Sequence, residues 1–196
     1  MFANRYTAFV DACALVGVLK RNMLLTLAEE GFFRIRWSAE VLDEVERAVD
    51  EIHAAKGNSN SAAVARNQRE RMESAFEEAP VTGYEALKAV CTGVPDPNDH
   101  HVVAAALKAQ AATIVTDNLK DFPQGVLADL NIEAKSTDAF IADTIELDPG
   151  RAVGAIRRMR ERFKNPALNA EALLLKIEAA GLTETADTLR SYLSVL

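Results

Sequence analysis

Residues 113–116, Thr-Ile-Val-Thr, show no alternation of apolar and polar positions. A strand of that kind is buried on both faces, the condition met inside a parallel sheet covered by helices on each side. The preceding segments supply the other parts of such a fold. Residues 6–10 are β-prone and stop at Asp11, after which Leu15, Leu19, Leu24 and Leu27 recur on one helical face that Gly31 closes. Phe32, Phe33, Ile35 and Trp37 make a second β-prone run, with Trp37 expected in the core. Ser38 is a natural N-cap for a helix over 39–55, with Val41, Val45, Ala48 and Ile52 as its apolar stripe and a break at 56–60. A mixed-charge helix over 66–78, a short strand over 81–84 and a helical turn around 86–90 come next. Pro95 to Asp99 then open an Ala- and Val-rich helix over 102–109, and 131–134 makes a last short strand. This order predicts an α/β fold, a doubly wound parallel-sheet sandwich over residues 6–135. From Ser136 the pattern is helical only, interrupted at 148–150, at Asn165 and Pro166, and at Gly181. It predicts a small all-helical C-terminal extension over 136–196, packed on the first part.

Charge narrows the function. Of 196 residues, 22 are Lys or Arg and 29 are Asp or Glu, a formal charge of -7. The molecule as a whole is therefore not an electrostatic nucleic-acid binder, and any such contact is local. No run approaches the roughly 18 apolar residues of a membrane span, and residues 1–5 lack a basic stretch followed by an apolar one. A soluble, cytoplasmic protein with no membrane partner is expected. Cys13 and Cys91 stand far apart, excluding a disulfide framework and a thiolate zinc site, and Cys13 is expected to be a small buried residue. His53, His100 and His101 are too few and too poorly spaced for a histidine cage; His100 and His101 are expected to be structural or exposed, with at most one facing the acids. A metal, if bound, is held by carboxylates.

In an open parallel sheet the ligand site lies beyond the carboxyl ends of the strands. Asp11 ends the first strand, Asp96 and Asp99 open the Ala-rich helix, and Asp117 and Asp121 follow 113–116. Glu44 lies beside the stripe of the second helix, nearer than Glu40 or Asp43 and narrowly nearer than Glu46 or Glu51. Each acid has a local alternative: Asp96 as N-cap ahead of Pro97, Asp99 at a helix dipole, Asp11 starting a helix, Glu44 solvated, Asp117 or Asp121 in a turn. Their coincidence at one sheet edge carries the functional reading. Gathered carboxylates raise one another's pKa unless a cation neutralises them, and the natural counter-ion is a hard dication of the kind that serves phosphodiester hydrolysis.

Four segments carry a resemblance: Phe9-Val-Asp11-Ala-Cys-Ala-Leu15, Trp37-Ser-Ala-Glu-Val-Leu-Asp-Glu44-Val45, Asp96-Pro-Asn-Asp99-His-His-Val-Val-Ala-Ala-Ala106, and Ile114-Val-Thr116-Asp-Asn-Leu-Lys-Asp121-Phe-Pro123. In order and spacing they resemble the PIN domain, in the version found in VapC-type toxins of bacterial toxin–antitoxin pairs, and the tail resembles the helical extension of a longer subgroup. The resemblance implies a Mg²⁺- or Mn²⁺-dependent endoribonuclease that leaves a 5′-phosphate and a 3′-hydroxyl, with a cognate antitoxin as partner and a homodimer as its assembly. Asp11, Glu44 and Asp99 match three acids of the family's quartet. The fourth falls on Asn118, with Asp117 adjacent and Asp121 one helical turn away. That leaves either a three-acid site with Asn118 as neutral ligand or a replacement by Asp117, slightly favoured, or Asp121; Asp96 is an additional candidate ligand.

An acidic pocket repels RNA, so basic residues must hold it elsewhere. Residues 151–164 carry six cations against one acid, Glu161, and the Arg157, Arg160 and Lys164 face is the candidate, with Val153, Ile156 and Phe163 turned to the core. The alternative is that this helix neutralises the protein's own acidic surface or meets the antitoxin. Other function classes compete. One is a catalytically impaired PIN-like protein-interaction module. A receiver-like phosphoryl acceptor needs paired early acids, where Asp11 stands alone, and a haloacid-dehalogenase-type phosphatase needs an acid where Cys13 stands.

Overall fold

The computed structural model describes residues 6–164 and 166–196; residues 1–5 and the helix-breaking Asn165 lie outside the described residues. Five strands, β1 (Thr7–Val10), β2 (Arg34–Ser38), β3 (Pro80–Val81), β4 (Thr113–Val115) and β5 (Glu133–Lys135), form one sheet in the order β3-β2-β1-β4-β5. Every neighbouring pair is parallel. All residues of β1 and β4 are buried, as strands covered on both faces must be. From β1 the chain adds β2 and β3 on one side and later β4 and β5 on the other. The switch point therefore falls between the carboxyl ends of β1 and β4, where such sheets form their ligand crevice. The fold is the doubly wound α/β sandwich with appended helices that the sequence predicts.

Several elements differ in detail. The helix expected after β1 is two, α1 (Ala12–Val16) and α2 (Val18–Glu29), because Gly17 is extended at φ -68°, ψ 121°. Gly31, at φ 77°, turns the chain at the end of α2 where a side chain would be strained. The Ser38 hydroxyl accepts the Val41 N–H at 3.2 Å to cap α3 (Ala39–Ala55). The buried stripe of α3 is Val41, Leu42, Val45 and Val49, and Ile52 is exposed, since α3 packs on both α1 and α4 (Ser61–Ala75). The mixed-charge helix thus starts and ends earlier than expected. The strand sought over 81–84 shrinks to β3, bounded by Pro80 and the positive-φ Gly83, and a 3₁₀ helix (Glu85–Val90) follows. A 3₁₀ turn (Pro97–Asp99) leads into α5 (His100–Lys108), whose residues 102–106 are fully buried. After β4 come a 3₁₀ turn (Leu119–Asp121) and α6 (Gln124–Ala128). Trp37 is a core residue as expected.

The extension comprises α7 (Thr137–Leu147), α8 (Pro149–Glu161), α9 (Ala170–Ala179) and α10 (Thr183–Arg190). Helices α7 and α8 lie on α2, and one hydrophobic core runs from Phe9 through Ile145 and Ile156 to Leu189. Phe140 meets Phe33 edge-to-face with centroids 4.8 Å apart. Leu182 offers α10 no side-chain cap, so buried Asp138 of α7 substitutes, accepting the N–H groups of Glu184 at 2.9 Å and Thr185 at 2.8 Å. Among the described residues no helix is long and apolar enough to cross a membrane.

Candidate active site

Asp11 is the first residue beyond β1, held in the sheet by its own N–H, which donates to the Val115 carbonyl at 3.0 Å. The residue is 6% exposed, and three donors reach its carboxylate. Oδ1 accepts the Ala12 N–H at 2.7 Å, which caps α1. Oδ2 accepts the Thr116 hydroxyl at 2.7 Å and the Cys13 thiol at 3.1 Å. Charge-assisted bonds of this kind fix a carboxylate's rotamer. Cys13 is an exposed residue, against expectation, with its sulfur turned inward to accept the Asp117 N–H. Burial of the thiol and then the negative Asp11 push its pKa to about 12, so it acts as a neutral donor.

Beyond β4, the Thr116 hydroxyl oxygen also accepts the Asn118 N–H at 3.1 Å, and the Asn118 amide donates to Asp121 Oδ2 at 2.5 Å. On the third segment Asp96 accepts the Asn98 N–H and caps the 3₁₀ turn that ends at Asp99. Asp99 is half-buried. Burial, followed by the charges of Asp11, Asp96 and Asp121, raises its pKa to about 6, with His101 the cation acting in the opposite sense. Four carboxylates from three distant segments thus share one field at the switch point. Lys120, 3.9 Å from Asp121, has a side chain 82% exposed to solvent and screens little.

Among the described residues no three His, Cys, Asp or Glu side chains stand in a closed metal-ligand cluster. The donor set nonetheless has the chemistry of a hard-cation site: carboxylate oxygens, a hydroxyl and an amide, with mutual repulsion that a dication would relieve.

The other expected acids sit differently. Glu44 Oε1 is 3.2 Å from Nε2 of His101, which is buried, and Glu40 Oε2 lies 3.6 Å from Nδ1. Burial disfavours the imidazolium, yet the Glu44 hydrogen bond and the charges of Glu44 and Glu40 outweigh it and raise the His101 pKa. Glu40 is held in turn by Lys88 at 2.9 Å and the Tyr84 hydroxyl at 3.1 Å. Of the two histidines, then, His101 faces the acids, while His100 Nε2 lies 3.3 Å from the Val94 carbonyl. Sequence reasoning missed this clamp on Glu44; its signal was Glu40 and Glu44 four apart on one helix face.

Asp117 receives Lys20 Nζ at 2.6 Å on Oδ2 and the Thr137 N–H at 3.0 Å on Oδ1. Burial opposes ionisation, but these donors lower its pKa. It joins α2 to the start of α7.

On the proposed RNA face, Arg157 pairs with Glu161 at 3.0 Å, and Lys164 is bridged through its backbone to Ala167. Arg160 donates to the carbonyls of Leu196 at 3.0 Å and Leu168 at 2.6 Å. Val153 and Ile156 are buried and Phe163 is half-buried. Other cations of the segment reach the end of α2: Arg158 to Glu30, Arg162 to Glu29, and Arg151 to the Glu30 carbonyl and over the Phe32 ring.

With this geometry in hand, the family comparisons are specific. A model of the PIN domain matches residues 7–120, and a model described as the VapC50 C-terminal domain matches residues 137–191. A protein of Mycobacterium tuberculosis, "Putative ribonuclease VapC50", is 36% identical over 76 residues, which cover 39% of this chain and 45% of that protein. The matched stretch thus spans less than half the length of that relative. No solved structure matches. The first match includes Asp11, Glu44, Asp99 and Thr116 on the elements that carry them, and the chain belongs to the PIN-domain family.

Proposed function

We propose that this chain is a Mg²⁺- or Mn²⁺-dependent endoribonuclease, the toxin of a type II toxin–antitoxin pair. It cuts RNA to leave a 5′-phosphate and a 3′-hydroxyl. The observation that carries the reading is the convergence of Asp11, Asp96, Asp99 and Asp121 at the switch point, where Asp99 is forced up to about 6. The relative's name, a ribonuclease, supports it.

Asp11 and Asp99 would hold the ion, with Asp121 and Asn118 beside them and Glu44 orienting water from across the crevice. A dication there would supply Lewis-acid stabilisation of phosphate charge and a water acidic enough to serve as nucleophile at neutral pH. The chain's own part is preorganisation. Thr116, Cys13 and the Ala12 N–H hold Asp11 in one rotamer, Asn118 aims Asp121, and His101 fixes Glu44. Asp117 has a different role in this scheme from Asp121: it secures the extension. The antitoxin, a homodimer and a cytoplasmic location belong to the same proposal.

The test is cleavage of a fluorogenic RNA with Mn²⁺, Mg²⁺ or EDTA, comparing wild type with Asp11→Asn and Asp99→Asn. Metal-dependent cleavage that both variants lose by at least about 100-fold supports the reading; folded variants as active as wild type overturn it. A second reading, a PIN module that works through protein partners without cleaving, is favoured by the open spacing of the acids. It predicts no cleavage with any metal.

A further inference from the structure

Arg21 is buried, 6% exposed, whereas the other described arginines lie at the surface or meet carboxylates or carbonyls there. Its Nη1 donates to the Leu15 carbonyl at 2.8 Å and the Val16 carbonyl at 3.1 Å, closing the C-terminal end of α1. No carboxylate among the described residues pairs with it. Burial alone lowers its pKa to about 10, unopposed by any neighbouring negative charge. The two carbonyls engage one nitrogen of a group that carries five N–H donors, and no other nitrogen of Arg21 is both buried and unbonded, which leaves its remaining donors open to the space beside it.

That group lines a cleft of about 430 Å³ between α2 and α4. The polar residues around it are Asn22, Asn67, Gln68 and Arg71, and no acid lines it. In a chain of net charge -7, a pocket holding two arginines and three amides without a carboxylate is an electropositive exception. Arg71 is exposed and makes no ion pair among the described residues. Residues that carry amide and guanidinium donors around one space supply the groups that bind the oxygens of a phosphate diester.

The position fits a strand running through the crevice. Lys20, the neighbour of Arg21, reaches Asp117 at the carboxyl edge of the sheet, so this end of α2 lies at the catalytic end of the fold. Asp11 caps one end of α1 and Arg21 closes the other, and a helix of five residues is about 7 Å long.

We propose that the α2–α4 cleft, floored by Arg21 and flanked by Arg71, is a subsite for a backbone phosphate of the RNA adjacent to the bond that is cut. It rests on the ribonuclease reading and adds the place where an acidic enzyme grips an acidic substrate. A free anion would use the same donors; the strand is favoured because the cleft stands next to the crevice.

The experiment measures binding of a short fluorescent single-stranded RNA by anisotropy in EDTA over a range of salt, with inorganic phosphate as competitor. Arg71→Gln is expected to weaken binding about tenfold and to reduce the salt slope by about 0.7, the value for one phosphate contact on a single strand. Asn67→Asp, which places a carboxylate in the cleft beside Arg21, is expected to weaken binding at least as much while raising thermal stability. Arg66→Gln, the same loss of charge on an exposed position of α4 outside the cleft, is the control and binds nearly as wild type. Variants Arg71→Gln and Asn67→Asp that bind like Arg66→Gln overturn the subsite. Wild type that binds RNA in an Arg71-dependent way yet cleaves none would sink the nuclease reading and leave the subsite standing. Cleavage with unaltered binding in both cleft variants does the reverse. Millimolar phosphate that abolishes Arg71-dependent binding only when it also saturates the cleft, without a strand-length dependence, overturns the RNA assignment in favour of a free-anion site.

Discussion

Replacing Asp99 by Asn should stabilise the metal-free protein while removing its activity. Asp99 is raised to about 6 by burial and three neighbouring acids, whereas in the unfolded chain it titrates near 3.9. At about 1.4 kcal/mol per pH unit, the penalty for holding it ionised at neutral pH would approach about 3 kcal/mol in a closed interior. Asp99 is half-exposed, and solvent screening reduces this to about 1 kcal/mol. Asn keeps the shape without the charge. In EDTA at about pH 7.5 the variant should therefore melt about 3 °C higher than wild type. The sign follows from proton binding: between about pH 4 and 6 the folded protein holds the Asp99 proton more tightly than the unfolded chain, so wild-type stability falls as pH rises through that window. Below about pH 4 Asp99 is protonated in both states and the gap should close. Saturating Mn²⁺ should reverse the order, since a ligand at 100 times its Kd adds about 2.7 kcal/mol to the state that binds it. The assay is urea unfolding of both proteins across pH, with EDTA and with Mn²⁺. A variant no more stable than wild type in EDTA at neutral pH, or a gap that does not change with pH, would refute the claim that these acids repel across one site.

Five residues test the division of labour in the crevice and the extension. Asp117→Ala should cost about 1 kcal/mol in urea unfolding, the worth of a helix cap, while Asp121→Asn should cost little stability and more cleavage; the opposite pattern would make Asp117 the fourth catalytic acid. Asp138→Ala strands the N–H groups of Glu184 and Thr185 in the interior and should destabilise the protein by about 2 kcal/mol by the same measurement. The His101 imidazole should titrate above its ordinary value by NMR, and Glu44→Gln should bring it down. Its ion-pair contribution to stability is then full below the unfolded histidine pKa and is lost as pH rises through the raised value.

The parallel sheet was legible because 113–116 has no polar alternation, and Asp11 was legible because a β-prone run ends on an acid. What could not be read was which way side chains turn in the segment after β4. An α-helical period puts Asp121 one turn from Asp117, but the chain there takes a Thr116–Asn118 turn and then a 3₁₀ turn, which sends Asp117 toward α7 and leaves Asp121 under the Asn118 amide, where its charge acts on Asp99. Periodicity also places Arg157, Arg160 and Lys164 along one side of a helix, and it is blind to the C-terminal carbonyls that cover Arg160. Arg21 left a clearer trace. It stands three residues before Leu24, on the apolar face of its helix, where a charge has no reason to be unless something answers it.

These departures share one cause. Wherever the fold gathers like charge, the local sequence is satisfied and the tertiary arrangement is not: Asp96 is a good cap, Asp11 is a good cap, and each is capping its own helix while pressing on Asp99. Local rules therefore explain Asp11 and Asp96 and still fail to explain the set, since Asp99 makes no side-chain cap of its own. The same holds with opposite sign at Arg21, which closes α1 correctly and leaves a buried guanidinium facing an acid-free cleft. A fold that only needed caps would have no reason to concentrate its anions at one end of a five-residue helix and an unpaired cation at the other. A dication at the first and a phosphate at the second would neutralise both, and a substrate strand passing over α1 would carry the charge that joins them.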